Sequence, residues 1–384
     1  METNEIELFY SEAFRAEVER NIGRDPLKIA LDRHVVNPRE VADEVKYLQR
    51  ARTKLPTYWA HRAHLPQRAF EQSSSEECAA HKEFRGHTAV DLTCGLGVDT
   101  LYLAKGFDHV TAIERDPLLA EVAKRNFALM GVDNVEVVCT TAEEYVKTMA
   151  KVDLVYADPD RRNAEGKKMV CLADCSPDIT ALLPQLKSKS STVVVKLSPL
   201  FDIDEALRLF GKSVEVDTVS LGGECKELLV TISDTFERPQ IKASVIGRGS
   251  FVGNESRCLG SGFDGKYRYV IVPDAALRKA RLSGQYFAGL GIDTFADDGY
   301  GFCNSLPSNA LLGRTESIIE CLPYQPKELR RKLSRTITLT RHGFTLSTKA
   351  ILAALGVREG GTDRWIFAEI EHNLWAIHLK PINL

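Results

Sequence analysis

The 384-residue sequence has no apolar run of about 18 residues, the length a helix needs to cross a bilayer, and this excludes a helical membrane span. Its N-terminus, METNEIELFY, lacks a basic segment ahead of an apolar stretch. No secretory signal is therefore expected, and a cytoplasmic location follows. Nine cysteines are present, an odd number with no C-x-x-C pair. That pattern suits neither a disulfide framework nor a common zinc site, so reduced thiols and no metal are expected. There is no internal repeat and no low-complexity segment. Large net charge is also lacking: 50 Lys and Arg face 53 Asp and Glu, for a formal charge of −3. Hydrophobic residues at 44% beside charged residues at 27% exclude a disordered or fibrous chain. The length implies two or three domains.

The small net charge conceals an uneven distribution. Residues 1–85 carry −1, residues 86–235 carry −8 and residues 236–384 carry +6. Lys327–Lys349 alone holds seven basic residues against Glu328. Such asymmetry suits a polyanionic partner for the basic part, although a solvated helix face would look the same.

Three textures divide the chain. Residues 1–85 read as a helical N-terminal domain. Ser11 is placed to cap SEAFRAEVERNI, and Asn37 before Pro38 gives the cap-then-proline order of a helix start. Ser74-x-x-Glu77 has capping-box spacing and predicts a helix over about 75–84. Residues 86–235 alternate apolar runs with helical spacing: TAVDLTCG, HVTAIE, VEVVCT, VDLVYADPD and STVVVKLSP read as strands. Strands alternating with helices imply right-handed crossovers and a parallel sheet covered on both faces. VEVDTVSL and KELLVTIS, around Gly222-Gly223-Glu224-Cys225, read as a hairpin with a four-residue turn. The expected fold is α/β: a Rossmann-like doubly wound sheet of parallel strands plus an antiparallel edge hairpin. Residues 236–384 read as a mixed α+β domain, ending in a strand (ITLTRHGF), a helix (KAILAALG) and a WIFAEIE/LWAIHL strand pair.

The chemistry is expected at two strand ends. Asp91-Leu92-Thr93-Cys94-Gly95-Leu96-Gly97 follows one strand and opens a helix, where glycines let backbone approach a ligand. Glu114 ends the next strand, 23 residues after Asp91, where a carboxylate can accept both hydroxyls of a ribose diol. Val98, Asp99 and Thr100 follow Gly97, so the third glycine of a dinucleotide fingerprint is absent. Asp91 would repel a pyrophosphate and suits a cationic ligand, such as the amino group and sulfonium of S-adenosylmethionine. That charge argument favours a methyltransferase over a dehydrogenase.

DLTCGLGVDT, AIERDP and YADPDRR resemble motifs of class I S-adenosylmethionine-dependent methyltransferases, in particular the bacterial group with a C-terminal THUMP-like domain. The resemblance runs from EQSSSEECAAHKEF to the terminal domain. It implies that Asp91, Thr93, Gly95 and Gly97 line the methionine end of the cofactor, with Cys94 and Asp99 in the same set. Glu114 would hold the ribose and Arg115 would lie beside the adenine. Thr141-Ala142 stands where the wider class has an acidic residue for the adenine amino group. Gln72 and Ser73 would roof the cofactor, or simply begin a helix.

Asp158-Pro159-Asp160-Arg161-Arg162 ends the fourth strand, where members that methylate base amino groups carry D-P-P-Y or N-P-P-Y. Asp158 would orient the attacking nitrogen, and it also counts among the cofactor contacts. Asp160 and Arg161 replace the second proline and the aromatic residue; with Asp158 they form the catalytic set. Arg161 and Arg162 would hold a substrate anion, or pair within the loop. D-P-x-R also resembles the uracil C5 methyltransferases, which need a cysteine at the end of the fifth strand. Here Lys196-Leu197-Ser198-Pro199 stands there, so a covalent pyrimidine mechanism is disfavoured. Lys196 either enters the acceptor pocket or pairs with a nearby Asp. Pro159, Arg162, Lys196 and Arg341 make up the substrate-binding set, while His342 and His372 read as surface or fold residues.

Direct methyl transfer needs alignment more than acid–base machinery, in keeping with the missing His, Cys or Ser nucleophile pattern. KELRRKLSRTITLTRHGF mixes cations on a helix with Phe344, the footprint of a nucleic-acid surface. The function expected is an S-adenosylmethionine-dependent methyltransferase acting on RNA, on a purine nitrogen by preference. The C-terminal domain would present the substrate. The alternatives are a small-molecule or protein methyltransferase, or a cofactor-binding protein without catalysis. Oligomeric state is not legible.

Overall fold

The computed structural model describes residues 3–160, 172, 175–254, 260, 262–295, 299–308 and 310–381. The chain divides into two units: Met1–Glu215 with Leu228–Pro239, and Val216–Glu227 with Gln240–Leu384.

In the first unit the apolar runs form β1 (Gly86–Asp91), β2 (Phe107–Glu114), β3 (Val135–Cys139), β4 (Val152–Ala157) and β5 (Ser190–Leu197). They pair in parallel in the order β3-β2-β1-β4-β5. Val90 lies opposite Thr111 on one side and Val155 on the other, and Tyr156 lies opposite Val194. Val110, Val155, Val194 and Val195 are fully buried, as strands covered by crossover helices require. The crossovers start where short polar side chains accept free helix N–H groups: Asp116 from Leu118 and Leu119, Asp178 from Thr180 and Ala181, Asp202 from Glu205. β6 (Val214–Leu221) and β7 (Glu224–Ser233) are joined by Gly222 and Gly223 alone. Both glycines have positive φ, 63° and 83°, so the turn has two residues and not the four expected from the sequence. Leu228–Ser233 of β7 pairs antiparallel with Thr192–Leu197 of β5, which places an antiparallel strand beyond the parallel ones.

The strand order reverses between β1 and β4, the position at which doubly wound sheets bind ligands. The ends of the four adjacent strands β2, β1, β4 and β5 carry Glu114, Asp91, Asp158 and Lys196. Parallel strands all point the same way, so these four charges gather along one edge.

The N-terminal helices have no core of their own. Phe14, Val18, Val41, Val45, Tyr47, Leu48 and Phe70 share one apolar cluster with Leu96, Val98, Leu101, Val122 and Phe127 of the sheet layer. The Tyr58 hydroxyl donates to the Leu96 carbonyl at 3.1 Å, and the Asn126 amide bridges His64 N and O. Ser11 caps the helix Glu12–Asn21 by accepting from Phe14 N. Asn37, at φ 54°, makes no side-chain cap, so Pro38 alone marks that start. The helix expected over 75–84 is only Glu76–Ala80, and Ser75 caps it in place of Ser74.

In the second unit, which includes Val216–Glu227, β8 (Gln240–Val245) and β9 (Gly249–Gly253) form an antiparallel pair that follows β6 in the strand order, so the hairpin is not the sheet edge expected from the sequence. The strands β10 (Tyr269–Pro273), β11 (Asp293–Thr294), β12 (Gly301–Cys303), β13 (Gly313–Pro323), β14 (Thr336–His342), β15 (Arg358–Ile370) and β16 (Asn373–Pro381) form a sheet ordered β11-β12-β10-β13-β16-β15-β14. β14 and β15 run parallel around the helix Thr348–Leu355, and the other pairs are antiparallel. Alternation decides the two faces. Ile366, Ala368 and Ile370 join one core, while Trp365 and Phe367 join the other. The helix expected in KELRRKLSR is only Pro326–Leu329. His342 is buried, and His372 is exposed at φ 64° between β15 and β16. Among the described residues, no helix is long and apolar enough to cross a membrane, and no cluster could hold a metal ion.

Candidate active site

Asp91 is 1% exposed at the end of β1. Its Oδ1 accepts hydrogen bonds from Thr93 N at 2.9 Å and the Thr93 hydroxyl at 3.2 Å, and its Oδ2 accepts one from the Thr100 hydroxyl at 2.7 Å. Burial pushes this carboxyl up to about 7, against the pull of those bonds. Sequence reasoning cast Asp91 as an anion open to a cationic ligand; the structure instead makes it an internal brace of the loop. Thr93 Oγ1 also accepts from Asp158 N at 2.7 Å, which ties the β1 loop to the end of β4. Cys94 is buried in the core, and burial raises its thiol far above the usual range. It contributes backbone to the loop and packing to the interior.

Gly95 and Gly97 both take positive φ, 55° and 87°. A Cβ on Gly95 would face open space, with only Thr93 O near, at 3.9 Å. A Cβ on Gly97 would lie 2.5 Å from Phe127 Cζ, so that glycine is demanded by packing as well as by φ. Beside this loop, Glu114 Oε2 accepts from Gly95 N at 2.8 Å and Oε1 from Asp116 N at 2.9 Å. Two backbone donors thus fix a partly exposed carboxylate next to the open face of Gly95, and each oxygen keeps a lone pair for an outside donor. A vicinal diol suits that carboxylate, and the side-chain-free glycine leaves room for the rest of a nucleoside.

At the other end of the edge, four charges alternate in sign. Lys196 Nζ stands 2.5 Å from Asp158 Oδ2 and 3.5 Å from Asp99 Oδ2, and it donates to Ser74 Oγ at 2.9 Å. Asp99 Oδ1 meets Lys82 Nζ at 2.9 Å. Asp99 Oδ2 also accepts from Ser74 Oγ and the Tyr156 hydroxyl, each at 3.0 Å. Burial alone would raise the Asp99 carboxyl, but Lys82 and Lys196 outweigh it and hold the group well below the usual carboxylate range. Asp158 moves the other way: burial raises it, and Lys196 opposes the rise. Of the sequence-derived cofactor set, Asp99 is thus part of a buried ion network. For Lys196, pairing with Asp158 and Asp99 is the outcome.

Asp160 pairs with Ser176 through both backbone groups, at 2.9 and 3.1 Å, and its Oδ2 lies 3.6 Å from Arg68 Nη2. Arg115 Nη1 donates to Ser176 Oγ at 2.7 Å. Pro159 is buried, and Arg161 and Arg162 lie outside the described residues. Gln72 is exposed at the end of the helix Gln67–Gln72, and the Ser73 hydroxyl donates to Phe70 O. Thr141 Oγ1 serves as a helix cap by accepting from Glu144 N, and Ala142 is buried. Arg341, in the second unit, donates from Nη1 to Phe344 O and Leu346 O, both at 3.2 Å. That guanidinium braces the loop after β14.

Sequence reasoning missed Ser74, Lys82 and Tyr156 as members of the network. Ser74 was visible only as a helix cap, and no local pattern marks a lysine whose partner lies 17 residues ahead on another element.

A model described as Methyltransferase domain matches residues 89–183, and one described as THUMP domain-like matches 313–381. A tRNA/tmRNA (uracil-C(5))-methyltransferase of Sodalis glossinidius is 30% identical over 137 residues, covering 29% of this chain and 36% of that protein. An uncharacterised RNA methyltransferase of Staphylococcus aureus is 25% identical over 171 residues, covering 41% of this chain and 38% of that protein. The chain therefore spans little more than a third of the length of these curated relatives. A solved Porphyromonas gingivalis W83 protein, provisionally assigned as a methyltransferase, superposes with a TM-score of 0.82 at 25% identity, covering 100% of both chains. This chain joins a methyltransferase domain of Rossmann-like fold to a THUMP-domain-like C-terminal segment.

Proposed function

We propose that the protein transfers a methyl group from S-adenosylmethionine to RNA in the cytoplasm. The observation that carries the reading is the row of groups along one sheet edge. A backbone-held Glu114 sits beside the open Gly95 loop, and a pinned Asp158 lies two strands away. Glu114 would hold the ribose diol and the Gly95–Gly97 loop the methionine end. When bound, the donor supplies an electrophilic methyl carbon and departs as a neutral thioether.

Asp158 then acts on the acceptor. Its carboxylate accepts a hydrogen bond from an acceptor N–H, which aims the nitrogen lone pair at the methyl carbon. The proton that the nitrogen gives up on methylation would pass to Asp158 or water. β5 ends at Leu197 and is followed by Ser198, so no cysteine stands where the uracil C5 mechanism needs one. A base nitrogen is the acceptor this favours.

RNA is supported by the THUMP-like match and by relatives described as RNA methyltransferases. Within the basic stretch, Arg330 donates to Ala354 O and Lys332 pairs with Glu320. Lys327, Arg331, Arg335 and Lys349 are exposed and suit phosphate contacts. Functionally we divide the chain at 1–85, 86–235 and 236–384: a helical buttress, a transfer domain and an RNA-presenting segment.

The test is transfer of labelled methyl to total RNA, protein and small-molecule fractions from a deletion strain. Label in RNA is expected, with the nucleotide mapped by mass spectrometry. Label confined to protein or small molecules would overturn the RNA assignment, and no label anywhere would overturn transfer itself.

A further inference from the structure

Lys196 is the penultimate residue of β5, and its side chain is only 12% exposed. An isolated ammonium buried to that degree is costly, so its partners define its role. Behind it lie the Ser74 hydroxyl and Asp99, and Asp99 is itself backed by Lys82, whose side chain is 2% exposed. In front lies Asp158, 36% exposed and the most open member of the four. The chain Lys82–Asp99–Lys196–Asp158 is electrically balanced, and it runs from the interior to one carboxylate at the edge.

That carboxylate is pinned twice. Its backbone N–H is bound to Thr93 Oγ1 at 2.7 Å and its Oδ2 to Lys196 at 2.5 Å. Among the described residues no hydrogen bond to Oδ1 is present. The charged groups facing Asp158 from the described elements are Lys196 on β5, Asp99 on the helix Val98–Ala104, and Lys82 after the helix Glu76–Ala80. Ser74 and Tyr156 supply neutral donors to the same network.

We infer that Lys196 is a positioning residue, not a substrate contact: held from behind by Ser74 and Asp99, it fixes Asp158 through Oδ2, leaving Oδ1 for the acceptor proton. Preorganised charge of this kind needs no rearrangement when the acceptor arrives. Without Lys196, Asp158 would sit between burial and the like charge of Asp99, both of which favour its protonated form.

The role presupposes methyl transfer at this edge, and the two ideas fail separately. Lys196→Met should lower kcat at least about 100-fold with KM for RNA changed less than about threefold, the split expected when alignment and not binding is lost. The acid limb of its pH–rate profile should move up by at least about one unit, because the ion-pair partner is gone. Lys196→Arg should return that limb to the wild-type position while recovering only part of the rate. Ser74→Ala, a milder change, should move the limb in the same direction by less. Carboxyl NMR of Asp158 in the cofactor-free protein gives a readout independent of turnover: its titration should rise in Lys196→Met and return in Lys196→Arg. If Asp158 titrates identically in all four proteins, the positioning role is overturned even though transfer stands. If wild type transfers no methyl to RNA while the NMR shift is seen, the transfer reading fails and the ion-pair role survives.

Discussion

Replacing Asp99 by Asn should destabilise the first unit rather than empty a cofactor site. Asp99 lies between two ammonium groups, 2.9 Å from Lys82 Nζ and 3.5 Å from Lys196 Nζ, and the Lys82 side chain is 2% exposed. An asparagine fills the same volume and can keep the Ser74 and Tyr156 hydrogen bonds, but it removes the carboxylate that the buried Lys82 and Lys196 ammonium groups share. Removing one partner of a buried pair costs about 3–5 kcal/mol, and the retained hydrogen bonds place this case near the lower figure. For a unit of this size about 3 kcal/mol corresponds to a Tm lower by roughly 6–12 °C.

The pH dependence has a definite sign. A carboxyl whose folded pKa lies below its unfolded value contributes stability that is complete above the unfolded value and is lost only as pH falls through the folded one. The gap between wild type and Asp99→Asn should thus persist through about pH 4, the ordinary carboxylate range, and close well below it. Urea denaturation across that range measures the gap. Adding Lys82→Met should recover part of the loss, because one of the two ammonium groups that shared Asp99 is then gone. A single variant within about 1 kcal/mol of wild type, or a double variant as unstable as the sum of its parts, would refute the network.

Three further substitutions separate the other groups. Glu114→Ala should weaken S-adenosylmethionine binding by about 1–3 kcal/mol, the cost of hydroxyls left unpaired, and unchanged calorimetric affinity would remove Glu114 from the ribose role. Asp91 is the reverse of Asp99: its folded pKa is raised to about 7, so the folded state holds the proton longer and stability falls as pH climbs from about 4 to about 7. Asp91→Asn should flatten that slope and be the more stable protein at pH 8 by a few kcal/mol, at about 1.4 kcal/mol per pKa unit; parallel urea midpoints for the two proteins from pH 5 to 8 would contradict it. Arg331→Ala and Arg335→Ala should each reduce the slope of log RNA affinity against log salt by about one, whereas Arg341→Ala should leave it unchanged, since that side chain is engaged by Phe344 O and Leu346 O.

Much of the fold was legible because it rests on local patterns. Runs such as VDLVYA and STVVVKL are apolar without alternation, which only a strand covered on both faces tolerates. The glycines of the β1 loop and the acid at the end of β2 were legible for the same reason, since conformational need and strand-end placement are written within a few residues. Errors came where one residue type serves two purposes. Ser74 has the spacing of a cap, yet Ser75 caps the helix and Ser74 joins Lys196 and Asp99. Thr141, at the place of an adenine partner, also accepts from its own helix.

Sequence alone, then, determined the strand order along the chain of the parallel sheet, the loop that opens onto a ligand, and the charged residues at the strand tips. Tertiary structure alone decided which of those charges face outward. Asp91 and Asp99 are both aspartates at the start of the same crossover, but one is turned into hydroxyl donors and the other lies between two lysines, one 17 residues before it and one 97 after. Burial and the sign of the nearest charge set whether a carboxyl is neutral, locked or available, and both depend on chain segments that meet only when the molecule folds.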